Sequence, residues 1–96
     1  MDKRKRNAIV KALTIAGWGS VIMTDWEYDG DLKLNAEEWI EGKGLAGDYW
    51  SEARSANLSY ATYDDFGTHI GISAILKKYG CYAEWYDASV IAVVRG

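Results

Sequence analysis

Cys81, His69 and the neighbouring acids Asp64 and Asp65 are the residues whose types could carry nucleophilic catalysis. A thiolate activated by an imidazole, with a carboxylate orienting the ring, needs all three groups within a few ångströms. The chain has a single cysteine and a single histidine, and their spacing brings nothing together. Cys81 opens an alternating stretch after Gly80, which suits a small buried apolar residue. His69 falls near a helix start, where a capping or solvated role is the ordinary one. A structural zinc site wants four Cys or His ligands, so no metal is expected. Asp25, Glu27, Asp29 and Asp31 alternate, but they lack the fixed loop pattern of an EF-hand. Glu37 and Glu38 are adjacent and would not face each other on a helix. Gly42, Gly44 and Gly47 lack the Lys-Ser/Thr ending of a phosphate loop. No cofactor is implied, and the chain reads as a non-enzyme.

The stronger chemical signal is charge mixed with large rings. Residues 25–65 hold eleven acids against Lys33, Lys43 and Arg54, a formal charge of −8. Three of the five tryptophans, Trp26, Trp39 and Trp50, lie in the same stretch. Tryptophan is mostly buried in folded domains. Five tryptophans and seven tyrosines nevertheless exceed what a core of this size needs, and Tyr and Trp anchor interfaces. The expected binding face is therefore Asp25, Trp26, Glu27, Asp29, Asp31, Glu37, Glu38, Trp39, Glu41 and Asp48. Carboxylates on a rigid frame imitate a phosphate track and suit a basic cleft. The competing reading makes the acids a solvated surface and the tryptophans core.

The totals bound the object that carries this face. Ninety-six residues, 49% hydrophobic and 14% aromatic, make one domain, 1–96, with a real core. Residues 2–11 carry +4, set against a net charge of −3 for the whole. The run Lys3-Arg4-Lys5-Arg6 opposes a helix dipole, so residues 1–6 are expected to fray. No direct nucleic-acid binding follows from four bases at a chain end. One cysteine rules out an internal disulfide and fits a reducing compartment. No apolar run approaches a membrane span, and 8–18 makes a poor signal core. A cytoplasmic location is expected.

The elements that would position these residues follow from periodicity. Ile9, Ala12, Leu13 and Ala16 form one helical stripe over 2–16, capped by Asp2 and stopped at Gly17. Residues 20–28 and 31–34 read as a hairpin about Asp29-Gly30. Asn35 with Glu38 resembles a capping box and predicts a short helix over 35–41. A second helix is expected over 46–57, and 60–63 reads as a short strand or link. Ile72, Ile75, Leu76 and Tyr79 predict a helix over 66–79, capped near Asp65 or Thr68 and ended by Gly80. Residues 81–86 alternate, 87–89 turn, and 90–94 (VIAVV) form a central or well-covered strand. The fold class is α+β: an antiparallel sheet of about four strands, in two hairpins, packed against two to four helices.

Small size, acidity, abundant rings and the lack of a catalytic motif give a general profile. It resembles that of phage or mobile-element proteins that block host defence, anti-CRISPR and anti-restriction proteins among them. The resemblance is one of profile and rests on no motif. It implies a non-enzymatic inhibitor directed at a basic protein or nucleoprotein complex. The alternative is a homo-oligomerising scaffold or adaptor, a homodimer pairing edge strands through VIAVV or through 20–28.

Overall fold

The computed structural model describes residues 2–23, 32–49 and 63–95. Helix α1, Lys3–Ile15, begins at the Asp2 cap, whose carboxylate accepts from the Lys5 backbone N–H at 3.0 Å. That bond is the main reason the Asp2 carboxyl titrates below the usual range. Arg6, Ile9 and Leu13 are its buried positions, one stripe at helical spacing. Gly17, at φ 97°, ends the helix in a backbone conformation that favours glycine. Trp18 then drops into the core.

Residues Gly19–Val21 form a 3₁₀ turn, so the expected strand starts later than Ser20. Ile22 bridges Leu34 in antiparallel fashion, and Met23 N–H donates to the Lys33 carbonyl at 3.0 Å. Residues 22–23 and 33–34 thus lie antiparallel, which is only the open end of the expected hairpin. Its Asp29-Gly30 apex lies outside the described residues.

The helix expected over 35–41 does not form. Strand β1 is Lys33–Asn35, β2 is Trp39–Ile40 and β3 is Gly44–Leu45. The Asn35 side chain accepts from Glu37 N–H at 3.0 Å, which closes a local Asx turn instead of starting a helix. β2 and β3 pair antiparallel as a two-stranded ribbon, and Gly42 and Gly44, at φ 83° and 93°, make its reversal. The helix expected over 46–57 is also absent at its start. Asp48 N–H donates to the Gly67 carbonyl at 2.7 Å and His69 N–H to the Ala46 carbonyl at 2.8 Å. Residues 46–48 thus run extended beside 67–69, and 50–57 lie outside the described residues.

Helix α2, Ile70–Lys78, starts four residues later than its periodicity suggested. Its cap is His69, not Asp65 or Thr68. The Asp64 carboxylate is occupied elsewhere, accepting from Phe66 N–H, Thr68 N–H and the Ser73 hydroxyl at 2.9, 3.0 and 2.6 Å. Ile72 and Leu76 are buried, Lys77 and Lys78 complete the last turn, and Gly80 at φ 71° follows.

Strands β4, Cys81–Asp87, and β5, Val90–Arg95, form the second hairpin, with a register shift between Trp85 and Asp87. The three-stranded sheet has the order β1-β5-β4 and is antiparallel throughout. VIAVV is central, as expected. Val90, Ile91 and Ala92 are paired with β1 on one side and with β4 on the other. The fold is α+β, with a three-stranded sheet and a separate ribbon rather than one four-stranded sheet. The described residues include two α-helices. Leu34, Ile91 and Val93 from the sheet meet Ile9, Leu13, Ile72, Leu76 and Trp18 in one apolar core.

Candidate functional site: the Trp39 ribbon

Trp39 stands at the start of the β2–β3 ribbon with 66% of its surface exposed. Its ring edge lies over Gly44, 3.7 Å from where a Cβ on that residue would sit. The glycine thus provides a flat seat that holds one side of the indole while the rest faces water. Glu37, Glu38 and Glu41 flank it, all exposed. The ribbon's only base, Lys43, is turned inward and partly buried, its Nζ 5.4 Å from the centre of the Trp18 ring. The outward charge of the ribbon is therefore carried by carboxylates alone.

Behind the ribbon sits a ring cluster that holds its orientation. The Tyr63 hydroxyl accepts from Leu45 N–H at 3.3 Å. Burial raises the Tyr63 pKa above its ordinary value, opposed by that hydrogen bond and reinforced by the charge of Asp48. Tyr63 meets His69 edge-on at 5.9 Å, and His69 meets Trp18 at 4.7 Å. His69 Nδ1 accepts from Gly71 N–H at 3.0 Å, which requires the neutral ring with its proton on Nε2. Burial lowers the His69 pKa, offset by a hydrogen bond with the Lys43 backbone and aided by the Lys43 charge.

Of the ten residues expected in the binding face, Trp39 and Glu41 belong to this ribbon and Glu37 and Glu38 to the turn that leads into it, all four exposed. Asp48 is half-buried on the segment beside Gly67, and its charge acts on Tyr63. Asp25, Trp26, Glu27, Asp29 and Asp31 lie outside the described residues. The residues missed from sequence are Lys43 and Gly44. The positive-φ glycine was legible as a turn, but the inward lysine depends on Trp18, which is distant in the chain.

The thiol and the imidazole do not meet. His69 caps the start of α2 and Cys81 follows its end, and nine helical residues span roughly 13 Å. Cys81 is buried, with its Sγ donating to the Tyr79 carbonyl at 3.6 Å. Among the described residues no group of three His, Cys, Asp or Glu is placed to hold a metal ion. None of the described helices is long and apolar enough to cross a membrane. Compared with protein-family models, curated proteins and solved structures, the chain matches none.

Proposed function

We propose that this chain is a small acidic binding protein that inhibits a basic, nucleic-acid-handling protein or nucleoprotein complex. The Trp39 ribbon makes the contact. The indole enters an apolar pocket of the partner, and Glu37, Glu38 and Glu41 take the Lys and Arg positions that otherwise hold phosphates. The anti-CRISPR or anti-restriction class of inhibitor, acting in the cytoplasm, is the setting this chemistry suits. The observation that supports it is a single one: Trp39 is two-thirds exposed among three exposed carboxylates, while the neighbouring lysine is folded onto Trp18. A core tryptophan has no reason to sit there, and a merely solubilising acidic turn has no need of an indole.

The test uses the full chain as bait in lysate at low and high salt, beside Trp39→Ala and the triple variant Glu37→Lys/Glu38→Lys/Glu41→Lys. The expected result is capture of a nucleic-acid-binding protein that weakens with salt, is lost in both variants and is displaced by added DNA or RNA. Capture that ignores charge reversal, or that coexists with saturating nucleic acid, would overturn the reading.

A further inference from the structure

A groove of about 490 Å³ opens beside β4 and shares no residue with the Trp39 ribbon. One wall is five successive strand residues, Cys81, Tyr82, Ala83, Glu84 and Trp85. Successive strand side chains point to opposite faces. A recess touched by five in a row therefore follows the edge of the strand, not either face of the sheet. The strand order makes β4 the edge, paired with β5 on its other side. Among the described residues this edge carries main-chain groups with no ladder partner. β4 also lacks the proline or lysine that commonly guards such an edge.

The opposite wall is Ser73 and Lys77, one turn apart on α2, with Asp64 and Phe66. Phe66 and Tyr82 stand at the rim, 68% and 51% exposed. The Trp85 indole N–H donates to the Phe66 carbonyl, tying rim to strand. The Asp64 carboxylate is spent on Phe66, Thr68 and Ser73, so two charges remain for a ligand. Glu84 lies on the strand and Lys77 on the helix. Both are exposed, and neither has an ion-pair partner among the described residues.

We propose that this groove binds an extended peptide segment of another protein as a fourth strand on β4. One large apolar side chain of the peptide sits between Phe66 and Trp85, and Tyr82 borders the groove on the opposite face of β4. A basic residue of the peptide faces Glu84, and an acidic residue faces Lys77. Ladder hydrogen bonds supply affinity, and the pocket and the two opposed charges supply selectivity. A small apolar molecule would leave the strand edge and both charges unused. A second copy of this chain fits poorly, because a folded sheet edge brings neighbouring elements that meet the wall of α2 and Phe66. A single extended chain brings none. The site is independent of the Trp39 surface, so either can fail alone.

The probe is a phage-displayed library of random nonapeptides, panned on the full chain and counter-panned on Phe66→Ala/Tyr82→Ala, whose substituted side chains are exposed. The fold of each variant is checked by circular dichroism. Enriched peptides should carry one large apolar residue flanked by a base and an acid. Synthetic copies should bind the rim variant about tenfold more weakly, the scale of one lost pocket contact. N-methylation of alternate peptide amides should weaken binding by about tenfold in one phase and little in the other, because only one set faces the ladder. The double reversal Lys77→Glu/Glu84→Lys should select peptides with the charge order inverted. No enrichment, binding indifferent to N-methylation in both phases, or a β4-mediated dimer in sedimentation would each overturn the proposal.

Discussion

The ammonium of Lys43 lies 5.4 Å from the centre of the Trp18 ring, joining the β2–β3 turn to the core. Trp18 is 1% exposed, so the lysine stem covers the indole while its charge meets the ring face. Lys43→Ala should cost about 0.5–1 kcal/mol in urea unfolding. It should also loosen the ribbon, read as faster amide exchange at Leu45.

Trp39 and Trp18 should behave oppositely. Trp39→Ala removes a ring that is mostly in water, and exposed sites of that kind usually change stability by about 0.5 kcal/mol or less. Trp18→Ala empties a buried ring site and should cost about 3–5 kcal/mol. Urea midpoints of the two variants measure the contrast. A large loss from Trp39→Ala would return that residue to the core and remove the basis of the proposed contact.

Gly47→Ala should destabilise by about 1–3 kcal/mol, the usual cost of overpacking. A Cβ there would lie 2.6 Å from the Ile91 Cδ1, 3.0 Å from the Gly67 carbonyl oxygen and 3.0 Å from the Trp85 ring. The side chain of Ile91 can turn away, but the Gly67 backbone, fixed by its bond to Asp48 N–H, cannot. Thermal melting gives the value, and Gly42→Ala, with open space around it, isolates the separate cost of positive φ.

Much of this arrangement is legible in the chain. Gly80, the Ile72–Leu76 spacing and the alternation through Trp85 fix α2 and β4 because each signal is local and repeated. The failures sit where a side chain chooses between two local partners. Asn35 beside Glu38 has the look of a helix cap, yet its carboxamide closes on Glu37 N–H and Trp39–Ile40 run on as strand. Asp65 and Thr68 lost the cap of α2 to His69 because Asp64 holds the preceding loop through Ser73, nine residues away. The acidic and aromatic character of the site was visible in composition. That Trp39 faces outward and Lys43 inward was not, since both follow from the seat on Gly44 and the ring of Trp18.

Asp64→Ala should unfasten that loop. It removes the acceptor of two backbone N–H groups and the Ser73 hydroxyl from a partly buried site, a loss of roughly 2–4 kcal/mol. Ser73→Ala removes one of the three bonds and should cost about 1 kcal/mol. Chemical denaturation of the two variants tests the ratio. Because Phe66 rides on this loop, Asp64→Ala should also weaken any peptide bound beside β4.

His69 should make stability depend on pH in the mildly acidic range. The folded chain favours the neutral ring, because burial penalises the cation and Nδ1 must accept from Gly71 N–H. Lys43 adds to the penalty, and a cation at a helix N-terminus opposes the dipole. With the folded pKa below the unfolded value of about 6.5, the contribution is complete above that value. It is lost as pH falls through it toward the folded pKa. The sole histidine gives one unambiguous ring signal by NMR, whose midpoint should lie below the value in the urea-unfolded chain. His69→Asn can still cap α2 through its side-chain oxygen but cannot titrate, so its urea midpoint should lose this pH dependence while the helix remains. An unchanged dependence in that variant would assign the effect to other groups.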